Sequence, residues 1–162
     1  MRSKAVKRLG LVSAGVVLAD QTTKYLITKY LSLYDHIPVI EGFFNINYVL
    51  NPGGAFGVLS HQPDGVRKFV FLFLSSIFAG YILWLYRRIA ATHVCLSYGL
   101  ALIFGGAVGN LIDRFKIGKV VDFLDFYIGT SHWPAFNIAD SAISIGMMIF
   151  IYHVLLNKIS EI

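Results

Sequence analysis

Four long apolar runs, over residues 9–28, 69–86, 94–112 and 138–156, constrain this chain more than any other feature. About 20 mostly apolar residues of helix span roughly 30 Å of hydrocarbon, and each run is close to that length. Backbone amides in lipid must be satisfied within their own segment, which leaves the helix as the form for such runs. With 56% hydrophobic and only 14% charged residues among 162, the composition departs from that of soluble globular chains. The expected fold is a membrane protein, mainly α, forming one membrane-embedded domain over 1–162. It has four transmembrane helices, outer connections over 30–67 and 113–137, and a small extracytoplasmic β-sheet.

The net charge of +5 sits at the ends of the apolar runs. Arg2, Lys4, Lys7 and Arg8 precede the first run, and Arg87 and Arg88 follow the second. Basic residues so placed set topology, so both termini are expected in the cytoplasm and no nucleic-acid partner is implied. The first run could pass for a cleaved leader, but it is long, carries Asp20 and Lys24 and lacks a small-residue cleavage site, so it is expected to be retained. Cys95 stands alone, which leaves no disulfide framework or cysteine metal cluster. It is expected as a buried small residue of the third run.

Within the connection over 30–67, Phe44, Ile46, Tyr48 and Leu50 alternate with Asn45, Asn47, Val49 and Asn51, a period of two that predicts a strand. Pro52-Gly53-Gly54 predicts a turn at its end. The glycines of 45–57 and its apolar face predict a segment that rearranges over a bound substrate. Asp64 is expected to cap the second helix. Gly105 and Gly109, four apart at the end of the third run, allow another helix to come close.

Polar groups are few, and they gather. An ionisable side chain beside lipid is costly and marks a candidate functional site. Asp20 and Lys24, at i and i+4, can pair on one helix face, either as a snorkelling pair at the interface or as support for a site. Asn110, Asp113 and Arg114 close the third run. Asn137 and Asp140 share one helical turn, with Asn137 also placed to cap. Asp122 and Asp140, expected at the outer ends of neighbouring crossings, form a candidate carboxylate dyad. Close carboxylates share a proton, so one can deprotonate water while the other protonates a carbonyl oxygen. From the residues alone, ion binding and a structural role remain open beside this chemistry. His36, His61, His93, His132 and His153 lack ligand spacing, and no G-x-S-x-G elbow is present.

Asn51-Pro52-Gly53-Gly54-Ala55-Phe56, the run Gly105 to Arg114, Val120-Val121-Asp122-Phe123 and Phe136-Asn137-Ile138-Ala139-Asp140 resemble, in order, the motifs of the lipoprotein signal peptidase (signal peptidase II) family. Asp20-Gln21-x-x-Lys24 resembles that family too, and Gly54 departs from its more frequent Ala. The resemblance implies an inner-membrane aspartic endopeptidase of bacteria that cleaves diacylglyceryl-modified prolipoproteins before the lipid-bearing Cys. It implies Asp122 and Asp140 as catalytic residues, Asn51, Asn110, Arg114 and Asn137 as substrate-binding, and Asp20, Lys24 and Asp113 as supporting. Lipidated prolipoproteins and membrane lipid are the implied partners, with no cofactor or metal. A monomer is expected, its site near the outer face. Two rival readings are a small ion transporter and a magnesium-dependent hydrolase in which Arg114 grips a lipid phosphate.

Overall fold

A computed structural model describes residues 2–53 and 62–155. The elements, in chain order, are α1 (Arg2–Tyr30), β1 (His36–Ile40), β2 (Phe44–Asn51), α2 (Asp64–Ile89), α3 (Val94–Ile117), β3 (Val120–Ile128), β4 (Ser131–His132) and α4 (Ile138–Leu155). Gly54 to Phe56 of the Asn51-Pro52 motif, and with them the last residue of the turn expected after β2, lie outside the described residues.

Helix α3 is central, packing against α1, α2 and α4. Its small residues explain why. A Cβ on Gly105 would lie 2.9 Å from Ser13 Cα of α1, one on Gly106 would meet the Ala139 carbonyl of α4, and one on Gly109 would lie 2.7 Å from Asp20 Oδ2. Close helix approach in lipid depends on such small residues because hydrophobic burial gives helices little reason to associate there. Asp64–Ile89 and Val94–Ile117 are long and apolar enough to cross a membrane, and the apolar stretch of α4, Ile138–His153, is shorter. Leu11 and Leu18 of α1, Phe69, Phe73 and Ile77 of α2, and Met148 and Ile151 of α4 all face outward. A girdle this large on a helix bundle marks contact with a nonaqueous phase.

At one end of the bundle lies a four-stranded antiparallel sheet in the order β1-β2-β3-β4. The alternating segment forms β2 as expected, with Val49 opposite Asp122 and Asn51 opposite Val120. The sequence reading did not find β3, and for a physical reason: its first four residues are all buried, Asp122 among them, so no apolar/polar alternation marks the strand. Phe136, just before α4, is bonded to β3 in both directions: its carbonyl accepts from Phe123 and Leu124, and its amide donates to the Leu124 carbonyl.

Four local expectations are corrected. The third helix does not end at 112 but runs to Ile117, where Gly118 in the left-handed conformation (φ 74°) caps it, so Asp113 and Arg114 are helical residues rather than part of a connection. Asp122 sits on a strand, not at the end of a crossing. Asp64 does not cap α2: Pro63 holds that position, and Asp64, in the first turn, pairs with Arg67 instead. Cys95 is in α3 but exposed, because it falls in the first turn away from the packed face.

Candidate active site

The site lies where α1, α3 and α4 meet β2 and β3, and it has two halves joined by amides. The first half is centred on Lys24. Its ammonium lies 2.9 Å from Asp20 Oδ2 and 2.8 Å from Asp113 Oδ2, and donates to Asn110 Oδ1 at 3.0 Å. Three donors meet three acceptors, which is the full capacity of an ammonium group. Asp20 and Lys24 are 0% and 3% exposed, which excludes a snorkelling pair and leaves the supporting reading. Buried charges persist only when paired and hydrogen-bonded. The carboxylates accept further bonds: Asp20 Oδ1 from the Ala139 amide at 3.0 Å, Asp113 Oδ2 from the Val121 amide at 3.2 Å. Through these bonds Lys24 and its partners fasten α4 to α1 and β3 to α3.

Gln21 belongs to this half; the sequence reading quoted it within the Asp20-Gln21-x-x-Lys24 motif but gave it no role. Its amide donates to Asp113 Oδ1 at 2.9 Å, to Asp20 Oδ2 at 3.2 Å and to the Gly109 carbonyl at 3.3 Å. Its place one residue after Asp20 does not reveal this role, since two of the three partners, Gly109 and Asp113, lie on α3.

The second half is the pair Asp122 and Asp140. Asn110 Nδ2 donates to Asp140 Oδ1 at 2.7 Å, and Asn137 Nδ2 donates to Asp122 Oδ1 at 2.7 Å. The two amides are themselves joined, Asn137 Nδ2 lying 3.2 Å from Asn110 Oδ1. Asn51, at the end of β2, donates to Asp122 Oδ2 at 3.1 Å. Asn137 is also the residue that opens α4: its Oδ1 accepts from the Asp140 amide at 2.9 Å, while Asp140 Oδ2 accepts from the Asn137 amide at 3.3 Å. This reciprocal cap fixes the two side chains relative to each other. Capping and site roles, alternatives in the sequence reading, are here one geometry.

Asp122 is 3% exposed. Burial, and then the nearby charge of Asp140, push its carboxyl up to about 7, against the opposing effects of the Asn51 and Asn137 bonds and the Lys24 charge. Arg114 is a further cation of this region, within Coulomb range of Asp140, Asp122 and Asp113. Its guanidinium lies 5.7 Å from the Phe71 ring centroid, and Nη1 donates weakly to the Asn110 carbonyl at 3.4 Å. All nine sequence-derived candidates, Asp20, Lys24, Asn51, Asn110, Asp113, Arg114, Asp122, Asn137 and Asp140, therefore fall in one connected network. Among the described residues no group of three or more His, Cys, Asp or Glu side chains is arranged to hold a metal ion.

A separate polar cluster lies along the sheet. Asp125 accepts from Asn45 Nδ2 at 3.1 Å and lies 2.8 Å from His132 Nδ1, which stacks on Tyr127. Burial would raise the Asp125 carboxyl, but the bonds from His132, Asn45 and Asn47 outweigh it and hold the group below its ordinary value. Three residues separate Asp125 from Asp122, so on a strand they point to opposite faces and the cluster is no part of the site.

Comparison with known proteins agrees over almost the whole chain. A family model described as signal peptidase (SPase) II matches residues 12–156. The lipoprotein signal peptidase of Desulforapulum autotrophicum is 59% identical over 162 residues, all of both chains. That of Syntrophus aciditrophicus is 47% identical over 144 residues, 88% of this chain and 89% of its own. A bacterial membrane enzyme solved by the in meso method at 2.3 Å resolution superposes with a TM-score of 0.83 at 34% identity, covering 95% of this chain and 91% of its own.

Proposed function

This chain belongs to the signal peptidase II family, a family of membrane proteases that remove signal peptides from prolipoproteins, and from that premise we propose that it is an aspartic endopeptidase that cleaves diacylglyceryl-modified prolipoproteins immediately before the lipid-bearing Cys. The observation that carries the aspartic reading is the buried pair Asp122 and Asp140, bridged by Asn110 and Asn137. A carboxyl pushed up to about 7 is protonated about half the time at neutral pH. The pair then holds a single shared proton, which is the state needed for one member to draw a proton from water as the other protonates the scissile carbonyl oxygen. Water attacks the carbonyl carbon, the tetrahedral intermediate collapses, and the leaving amine takes a proton from the pair.

The remaining roles follow from position. Asn51, Asn110 and Asn137 orient the carboxyls, and their amides are close enough to bind the peptide backbone. Arg114 is the cation available to developing negative charge. Asp20, Lys24 and Asp113 keep the helices in register beneath the pair. Four crossings, by α1, α2, α3 and α4, put both termini on the cytoplasmic side and the sheet and carboxyl pair at the outer face. There a lipidated peptide keeps its acyl chains in hydrocarbon while its amide reaches water. The enzyme acts as a monomer on lipidated prolipoproteins and uses no metal.

The test is cleavage of one precursor peptide, with and without its diacylglyceryl group, by purified protein in the presence of a chelator. Cleavage of the lipidated form alone, unaffected by chelator, is expected. Activity that vanishes in chelator and returns with magnesium would overturn the aspartic mechanism in favour of a metal-dependent hydrolase.

A further inference from the structure

At the end of the bundle opposite the carboxyl pair, a groove of about 630 Å³ lies between α1 and α2, walled by Ala5, Val6, Leu9, Leu83 and Ala91 with Arg87 at its edge. The two helices are held apart at a set distance there: the Tyr86 hydroxyl donates to the Ala5 carbonyl at 2.7 Å, and Arg8 Nη2 donates to the Ala90 carbonyl at 2.8 Å. Arg8 Nε is buried with no protein partner. Lys4, Lys7, Arg8, Arg87 and Arg88 crowd this end, and among the described residues no Asp or Glu occurs in 2–19, 65–112 or 141–155 to neutralise them. The volume is that of a small-molecule pocket, and its makeup is amphiphilic, with apolar walls and a cationic rim. Basic pockets between membrane helices suit anionic headgroups.

We propose that this groove binds one anionic phospholipid, its phosphate at Arg87 and one acyl chain along the wall formed by Val6, Leu9 and Leu83. Charge selects the headgroup class, and the depth of the apolar wall selects a lipid over a free phosphate. The proposal is independent of the proteolytic reading, because it concerns the far end of the bundle.

The experiment is native mass spectrometry of the protein in neutral detergent, titrated with phosphatidylglycerol or phosphatidylcholine. One phosphatidylglycerol is expected to be retained in preference to phosphatidylcholine, with retention falling as salt is raised. Arg87→Gln should weaken it about fivefold, on the order of one basic contact near a lipid surface. Ala91→Trp should block the groove sterically without changing charge. Lys29→Gln makes the same charge change at the other end of α1 and should leave retention unaltered. Equal weakening by Arg87→Gln and Lys29→Gln, equal retention of both lipids, displacement by inorganic phosphate alone, or loss of a protein dimer rather than lipid in Ala91→Trp would each overturn the proposal. Cleavage of lipidated peptide should remain unchanged in both groove variants, which separates this result from any failure of the catalytic assignment.

Discussion

The two carboxylate pairs of this molecule are neighbours with opposite electrostatics. Asp20 and Asp113 share Lys24, whose ammonium touches both at under 3 Å. Among the described residues, no cation is bonded to Asp122 or Asp140; amides hold them. A buried acid with an ammonium against it is fixed in one charge state and serves as a structural tie. A buried acid facing another acid across neutral amides keeps its proton within reach of neutral pH, as Asp122 does at about 7. Proximity of carboxylates alone therefore does not distinguish the proposed reactive pair. What distinguishes it, among the described residues, is the absence of a directly bonded counter-charge.

The contrast can be broken most severely at the second pair. Asp122→Asn and Asp140→Asn each remove the exchangeable proton while keeping size, so each is expected to cut cleavage by about 10²- to 10⁴-fold, with the double variant little worse. Turnover of lipidated peptide by folded, membrane-inserted variants measures this, and a near-normal rate in either one would defeat the assignment.

At the first pair the expected damage is to the fold. Lys24→Met leaves Asp20 and Asp113 buried without their cation, a change worth about 3–5 kcal/mol. Thermal unfolding in detergent reads it, and Asp20→Asn or Asp113→Asn should also destabilise while leaving measurable turnover.

Asn137 joins the two regimes, and Asn137→Ala removes its bonds to Asp122, Asn110 and the Asp140 amide together. A stability loss of about 1–3 kcal/mol is expected from the groups left unpaired, accompanied by a lower turnover rate. A change in only one of these measurements would mean that cap and site are separable.

The pH response sharpens the comparison further. Because Asp122 is raised from 3.8 to about 7 in the folded protein, its contribution to stability is complete below about pH 4 and is lost as pH rises toward and through 7. Melting temperature should therefore decline across that interval, and Asp122→Asn should flatten the decline. The cleavage rate should fall on the alkaline side as the shared proton is lost. At the small end, Asp64→Ala breaks only a pair with Arg67 whose acid is largely exposed, and should change stability by about 0–1 kcal/mol.

How much of this was legible in the sequence follows the range of each interaction. The Asp20 and Lys24 pair could be read because i and i+4 share a helix face, and β2 because its apolar residues alternate. Strand β3 could not, because burial at Val120, Val121, Asp122 and Phe123 removes the alternation that would announce it. Gln21 stood in the Asp20-Gln21-x-x-Lys24 motif but its role could not be read, for a related reason: Asp113 is 92 residues away in the chain. Asp122 and Asp140 were a candidate pair from the residues themselves, and family resemblance then implied the catalytic role. What sequence did not contain was that Asn137 both caps α4 and holds Asp122, a fact of three-dimensional register between α4 and β3.

Asp20 Oδ1 accepting the Ala139 amide, across 119 residues, ties the first helix made to the last. In the proposed four-crossing topology, α1 enters the bilayer during synthesis with an acceptor whose partner has not yet left the ribosome. Lys24, one turn away on the same helix, can neutralise that acid in the meantime. When α4 arrives it supplies both the missing donor and Asp140. A half-built chain thus lacks one carboxyl of the proposed pair and has an unfilled bond at its base, so under the proposed mechanism no partly inserted form would cut the lipoproteins maturing around it.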